Sequence, residues 1–294
     1  MSGQDAVPRG RFARRNHGFR LGGRALLGSW SMSVGLLGLV LFVVAALGAP
    51  WLAPYDPVKL DLLSVLQPPG RVHLFGTDQL GRDILSRVIY AARIDLQIGF
   101  IGVAIPLVIG TLVGLAAGYF GGLTDSVIGR VIDVVIAFPF LVLVIAIVAM
   151  LGPGLVNLYI AISAVSWVLY ARIVRGETMA MRRREYILAA ESLGYGHLRV
   201  MLRHVLPNVL APAFVFAMSD FVLDLQLGAT LSFFGLGVQP PTAEWGLMIA
   251  ETRSFMLTAP WTVVFPGLAI IVLSFFVSLI GDGLADRIRG LDER

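Results

Sequence analysis

The chain contains no cysteine, a single lysine and only four histidines in 294 residues. Without cysteine it can form neither a disulfide nor a thiolate metal site. The lone lysine, Lys59, lies in DPVKLDL, so a phosphate-binding loop of the form G-x-x-x-x-G-K-[ST] cannot exist in this chain. The histidines also lack the H-E-x-x-H spacing of zinc proteases. If ATP drives a process in which this chain takes part, a separate subunit must hydrolyse it.

Charge is scarce as well, since 14% of the residues are charged and 57% are hydrophobic, with a mean hydropathy of +0.82. A soluble domain carries about 25% charged residues. Six apolar runs approach or reach the roughly 17–25 residues that a helix needs to cross a bilayer. The first run lacks an A-x-A-like cleavage site and is predicted to be a retained anchor. We predict an all-α integral membrane protein with six spans, at Met32–Trp51, Ile98–Phe120, Val134–Leu151, Leu155–Ala171, Val209–Phe233 and Val263–Ile280.

The distribution of arginine predicts the orientation in the membrane. Residues 1–30 hold six arginines and Tyr170–Pro207 holds seven, whereas the connections Leu52–Asp95 and Phe234–Pro260 have no such excess. Cytoplasmic loops carry the basic excess, so we expect both termini, Gly121–Arg130 and the arginine-rich segment to be cytoplasmic. The arginines flank membrane spans, which favours contact of the basic tail with lipid and gives no support for nucleic-acid binding.

The predicted outer connection contains two closely spaced acids, Asp78 and Asp83, in the stretch GTDQLGRD. Each has an arginine nearby in sequence, Arg82 or Arg87. We interpret these residues as ion pairs that fold the loop, rather than as a catalytic carboxylate pair. No enzyme active site is predicted anywhere in the chain.

The segment RRREYILAAESLGYGHLRVMLRHVLPN, Arg182–Asn208, is polar and lies between two apolar runs. Its composition predicts a short helix over Arg183–Ser192 that Gly194 ends in a left-handed conformation. A second helix is predicted over His197–Val205, before Leu206-Pro207 leads into the fifth span. Small alanines would let another protein approach closely, which makes the segment a candidate docking site. An amphipathic helix lying on anionic lipid is the alternative.

Polar and helix-breaking residues inside the spans are candidates for the transport pathway. Asp220 and Asp224 are four apart and therefore share a helix face, and buried membrane acids normally face a bundle interior or a watery cavity. A pathway or partner contact and an interfacial position at a helix end are both open. Pro139 is predicted to kink the third span, either as part of a gate or for packing alone. Arg130 and Asp133 are spaced to pair on one helix face.

The stretch Phe233–Gly246 contains two prolines and three glycines, which interrupt a helix. Trp245 and Phe255 are residue types that favour the membrane interface. The stretch is therefore either a re-entrant or surface-lying helix over the outer mouth, or a plain external loop.

The polar segment resembles the E-A-A-x3-G-x9-I-x-L-P coupling motif of ABC importer permeases. Leu188 stands where that family often has Glu, and His204 replaces the Ile. The positions that match are Ala189, Ala190, Gly194, Leu206 and Pro207. The resemblance implies that these residues, with Arg199 and Arg203 at the rim, couple the chain to an ATPase.

Three further stretches resemble the second permease subunit of dipeptide, oligopeptide and nickel importers (the DppC/OppC type). They are HLFGTDQLGRDILSRVIYAARIDL, YFGGLTDSVIGRVIDVVIAFPFLVL and LSFFGLGVQPPTAEWGLMI. The resemblance covers nearly everything from Trp30 to Gly290 and implies the type I (MetI-like) importer fold. We accordingly expect a basic tail (1–30), a first span with an outer segment (31–97), a permease core (98–283) with the coupling loop at 175–208, and a cytoplasmic C-terminal tail (284–294).

The resemblance also implies partners that this chain does not contain. They are a homologous second permease subunit, one or two ATP-binding subunits that carry ATP and Mg²⁺, and an extracytoplasmic binding protein. Peptides are the implied cargo, with nickel chelates, glutathione and some sugars as alternatives. A secondary transporter or channel, and a membrane-bound hydrolase, are the rival classes. The two halves show no obvious internal repeat of the kind that many secondary transporters carry.

Overall fold

The computed structural model describes residues 30–292, and side chains up to residue 288. The predicted basic tail therefore lies outside the described residues. Within them the chain forms eleven α-helices and no strand. The helices are α1 Trp30–Leu47, α2 Ala49–Leu52, α3 Ile84–Phe120, α4 Gly122–Ile136, α5 Phe140–Leu151, α6 Leu155–Arg182, α7 Glu185–Ser192, α8 His197–Val200, α9 Leu206–Phe233, α10 Trp245–Thr252 and α11 Trp261–Asp292.

Five of these helical segments are long and apolar enough to cross a membrane: α1, α3, α6, α11 and a continuous segment His197–Phe233 that joins α8 to α9 through a π-helical turn. The helices α4 and α5 together make a sixth candidate span, bent by 87° at the break between them. The prediction of an all-helical membrane fold is confirmed. The third predicted span, Val134–Leu151, was wrong as a single kinked helix, because Pro139 lies outside both helices and precedes the first residue of α5.

Several helices extend well beyond their apolar runs. The second predicted span starts at Ile98, but α3 starts at Ile84, and the sixth ends at Ile280, but α11 ends at Asp292. The expected boundaries at 97/98 and 283/284 therefore fall inside helices. Hydropathy reports only the part of a helix that is apolar, so amphipathic ends were missed. Similarly, Gly121–Arg130 is not a loop, because α4 begins at Gly122.

The helices α3 and α6 approach each other closely along a row of glycines. Gly110, Gly114 and Gly118 recur every fourth residue of α3. A Cβ at any of them would collide with the backbone of α6. Small residues at this spacing let membrane helices pack backbone to backbone. The pair thereby forms a rigid centre for the bundle.

The outer connection folds back onto the outer end of α3. Asp83 accepts a hydrogen bond from the backbone N–H of Ser86 at 2.8 Å and so caps the first turn of the helix. The same carboxyl contacts Nδ1 of His73 at 2.9 Å. The prediction that Asp83 pairs with an arginine was wrong, because the histidine occupies that position.

Asp78 does pair with arginine, as predicted. Its carboxylate lies 2.6 Å from Nε of Arg82 and 3.7 Å from Nε of Arg87. Glu251, in α10, contacts the same two arginines at 2.8 and 3.2 Å. Both arginines are at most 2% exposed, so this four-residue network is buried. It joins the outer connection to α10.

Candidate functional site

The arginine-rich segment forms the predicted helix–turn–helix. Helix α7 ends at Ser192, and Gly194 has φ +78°, the left-handed conformation that favours glycine. The N–H of Gly194 donates to the carbonyl of Glu191 at 2.9 Å, and the N–H of Tyr195 donates to that of Ala190 at 3.2 Å. These bonds satisfy carbonyls left free at the helix end. The predicted conformation of Gly194 is confirmed.

The two faces of this segment differ sharply. Its inner face, Ile187, Ala190, Val200 and Val205, is at most 5% exposed and packs into the main hydrophobic core. Ala190 therefore belongs to the internal packing of the chain, and the expectation that it lies on a docking surface was wrong. Ala189, one position earlier, is exposed. Adjacent helix positions are turned by about 100°, which separates the two alanines.

The outer face of the segment is apolar although it lies among arginines. Leu188 is 50% exposed, Leu193 74% and Leu198 68%. The other predicted coupling residues on this side, Arg199, Arg203 and Pro207, are exposed, and Leu206 is half-buried. We call the exposed residues Leu188, Ala189, Leu193 and Leu198 the coupling face. An exposed apolar patch with a charged rim is typical of a protein-binding surface.

The two membrane acids lie between α3, α6 and α9. Asp220 and Asp224 are at most 2% exposed within this chain alone. The hydroxyl of Tyr170 donates to Oδ2 of Asp220 at 2.8 Å. Asp224 faces Gly102, where a Cβ would collide with the carboxyl group. Neither acid occupies a helix end, so the interfacial alternative was wrong.

Near the C-terminal end of α6, the observed ion pair differs from the predicted one. Arg130 and Asp133 do not pair within the described residues. Arg175 of α6 instead binds Asp125 in the first turn of α4 with both of its nitrogens, Nε and Nη2. This bidentate pair ties the first turn of α4 to α6.

The stretch after α9 is a series of turns that leads into α10, and α10 packs on the bundle. Trp245 is fully buried within the chain. Its indole N–H donates to the carbonyl of Val88 at 3.1 Å, and its backbone N–H donates to Asp95 at 3.2 Å. A buried indole finds an internal acceptor in this way. These contacts hold α10 against α3.

Two carboxyl groups meet beside Trp245. Asp95 accepts from the backbone N–H of Trp245 at 3.2 Å, and Glu244 accepts from those of Gly246 and Leu247 at 2.9 and 2.6 Å. Burial raises the pKa of Glu244, and its two backbone donors oppose the shift. The two acids together hold the first turn of α10 in place against α3.

Across the described part of the chain, no group of three or more His, Asp or Glu side chains comes together in a way that would hold a metal ion.

A family model decides the class of the chain. Residues 110–290 match the "binding-protein-dependent transport system inner membrane component" model, and residues 24–69 match the "N-terminal TM domain of oligopeptide transport permease C". The chain belongs to this family of transport permeases. The resemblance seen in the sequence motifs is thereby confirmed, and the chain is a multi-pass membrane permease rather than a hydrolase or a secondary transporter.

Several curated permeases are similar over most of their length. The dipeptide transport system permease protein DppC of Alkalihalophilus pseudofirmus is 43% identical over 86% of this chain and 83% of that protein. The di/tripeptide permease DppC of Pseudomonas aeruginosa is 45% identical over 86% of this chain and 85% of that protein. The glutathione permease GsiD of Pectobacterium atrosepticum is 40% identical over 87% and 85%, respectively.

The permease structure also contains functional candidates that sequence patterns did not reveal. Tyr119 forms hydrogen bonds with Glu191 and His197, which lie 72 and 78 positions later in the chain. Both belong to the segment Arg182–Asn208, which we call the coupling segment. Trp245 meets Asp95 across 150 positions. Local spacing carries no signal for such contacts.

Proposed function

We propose that the chain is the second transmembrane subunit of an ATP-driven importer that moves di- and oligopeptides across the inner membrane. Similarity to permeases named for dipeptide and tripeptide transport supports the cargo class. One structural observation carries the coupling part of the proposal. The coupling face is a leucine-rich patch on the segment Tyr170–Pro207, which contains seven arginines, and an exposed apolar patch with a charged rim supports a protein partner there.

The proposed complex contains subunits other than this chain. A homologous permease subunit pairs with it, one or two cytoplasmic subunits bind ATP and Mg²⁺, and an extracytoplasmic protein delivers cargo. The coupling face, with Gly194 shaping its turn and Arg199 and Arg203 at its rim, docks on an ATP-binding subunit. ATP hydrolysis is assigned to the partner subunits, since the only lysine of this chain cannot belong to a phosphate-binding loop.

The proposed orientation follows from the two ends of α3. The coupling segment contacts Tyr119, which is near the last residue of α3. The outer connection supplies Asp83, which caps the first turn of α3. A helix of 37 residues is about 55 Å long. This length supports a placement of the two segments on opposite sides of a membrane. The arginine excess favours the cytoplasmic side for the coupling segment, the basic tail and the end of α11.

Transport in this proposal occurs by alternating access. Closure of the ATP-binding subunits moves the coupling segments and turns the pathway outward, and hydrolysis restores the inward state. Such coupling requires two states that both sites bias. Asp220, Asp224 and the break at Pro139 remain the proposed pathway elements. Because both acids are buried within this chain, only the exposed break at Pro139 is kept as a proposed subunit contact. The 87° bend offers a hinge between α4 and α5.

Reconstitution tests the proposal. The chain, its partner permease, the ATP-binding subunits and the binding protein encoded beside it are placed in liposomes, and uptake of a labelled dipeptide and of labelled glutathione is measured. We expect dipeptide uptake that requires both Mg-ATP and the binding protein. Uptake of glutathione but not of the dipeptide would move the cargo to that alternative. Uptake that is independent of ATP would overturn the proposed function.

A further inference from the structure

The inner end of α3 is fastened to the coupling segment through one hydroxyl group. Tyr119 is the penultimate residue of α3 and is 1% exposed. Its hydroxyl lies 3.0 Å from Oε1 of Glu191, in α7, and 3.1 Å from Nδ1 of His197, in α8. One atom therefore touches both helices of the coupling segment, on either side of the turn at Gly194.

The hydrogen bonds at this hydroxyl have a definite direction. The Glu191 carboxylate can only accept, so the phenol O–H donates to it. The phenol oxygen then accepts from His197, which must carry its proton on Nδ1. Bonds in which one partner is ionised are stronger than neutral ones. The phenol thereby uses both its donor and its acceptor, and it gives the Glu191 carboxylate and the His197 imidazole a hydrogen-bond partner each.

The ring of Tyr119 is fixed as firmly as its hydroxyl. The guanidinium of Arg182, the last residue of α6, lies 5.4 Å from the ring centroid. The imidazole of His197 meets the ring edge to face at a centroid distance of 5.8 Å. These contacts persist when only the hydroxyl is removed, so packing and hydrogen bonding can be separated experimentally.

Helix α3 extends without a break from this contact to the opposite end of the bundle. Gly110, Gly114 and Gly118 pack its inner half on α6, and near its outer end it holds Trp245 of α10 through Asp95. A rigid element in contact with two distant segments is the kind of element that can carry energetic coupling between them. The neighbouring Phe120 meets the His197 ring edge to face at a centroid distance of 6.4 Å, and Tyr119 adds hydrogen bonds to this contact.

We propose that the Tyr119 hydroxyl is the joint through which displacement of the coupling segment is passed to α3 and from there to the outer helix α10. Tyr119 is thus a positioning residue for transport. The proposal rests on the function proposed above. The covalent connections from α6 to α7 and from α8 to α9 would move α6 and α9 directly, and α3 packs on α6. The Tyr119 hydroxyl adds a direct hydrogen-bonded link from α3 to both helices of the segment, to which α3 has no covalent connection.

The variant Tyr119→Phe tests the joint in the reconstituted complex. It removes the hydroxyl and keeps the ring, and Tyr195→Phe, on the exposed side of the same segment, is the matched control. Peptide uptake and ATP hydrolysis are measured in the same liposomes, and the melting temperature is measured on the purified complex. We expect the number of peptides imported per ATP to fall about tenfold, with hydrolysis and melting temperature close to those of the parent.

Conservative and non-conservative partner variants separate the hydrogen bonds from the fold. His197→Asn and Glu191→Gln keep a donor and an acceptor, respectively, and are expected to preserve the peptide-to-ATP ratio. His197→Phe and Glu191→Leu are expected to lower it as Tyr119→Phe does. An unchanged number of peptides imported per ATP in Tyr119→Phe would refute the proposed role of the hydroxyl. A parallel loss of uptake, hydrolysis and melting temperature would refute it as well. A parent complex that imports nothing with ATP would instead refute the proposed function.

Discussion

Ala189→Arg is expected to lower ATP-dependent uptake by roughly a hundredfold, because it forces an unpaired charge into the contact with the ATP-binding subunit. Ala189 is exposed at the centre of the coupling face, between Leu188 and Leu193. The substitution leaves the internal packing of the permease untouched. The measurement is peptide uptake in liposomes, with the amount of ATP-binding subunit that co-purifies as a second readout.

Two variants control this result. Ala189→Ser keeps a small side chain and should import normally. Ala190→Arg alters the neighbouring alanine, which is 5% exposed, and should destabilise the segment itself and lower the yield of folded protein. Normal uptake and normal co-purification in Ala189→Arg would show that this face is not the docking surface.

Glu251→Ala is expected to destabilise the permease by about 3–5 kcal/mol, because it removes one of two acids that neutralise a pair of buried arginines. Arg82 and Arg87 would then share the single carboxylate of Asp78. Thermal unfolding of the purified complex in detergent is the measurement. Glu251→Gln, which keeps a hydrogen-bond acceptor without the charge, should be intermediate.

Glu177→Ala is the matched control for this prediction, since Glu177 is an exposed acid of α6 on the predicted cytoplasmic side. It should change stability by no more than about 0.5 kcal/mol. Equal melting temperatures for the parent and Glu251→Ala would mean that solvent already screens the two arginines. The network would then not be what fixes α10 to the outer connection.

Sequence reasoning succeeded where the physics is local. The turn at Gly194 depends on the backbone freedom of one residue, and the spans depend on apolar length. Both were predicted correctly in kind. Which face of α7 is buried was not predicted, because Leu188, Ala189 and Ala190 give no strong polar–apolar contrast around the helix. Only packing against the core decides that Ala190 is buried.

The features that the sequence did not predict depend on contacts between residues far apart in the chain. Tryptophan as a residue type favours the membrane interface, but distant partners on α3 supply the hydrogen bonds of Trp245 and bury it. Asp83 likewise pairs with His73, ten positions away, and not with the arginines next to it in sequence. At Pro139 the sequence correctly indicated a disturbed helix, but the size of the bend, 87°, depends on tertiary packing that local spacing does not encode.

The lack of cysteine permits a direct test of the central claim, that the coupling face is held by an ATP-binding subunit. Ala189→Cys introduces the only thiol in the chain, and a bifunctional thiol reagent is applied to membranes that contain the complete complex. Ala190→Cys, which is buried, is the matched control. The reagent carries one thiol-reactive arm, which bonds to the introduced cysteine, and one photoreactive arm, which inserts into the surface that touches it and needs no second thiol. We predict that Ala189→Cys cross-links to an ATP-binding subunit with a yield that changes on addition of Mg-ATP, and that Ala190→Cys does not. Labelling of Ala189→Cys by a lipid-soluble thiol reagent, with no cross-link to any subunit, would contradict the account.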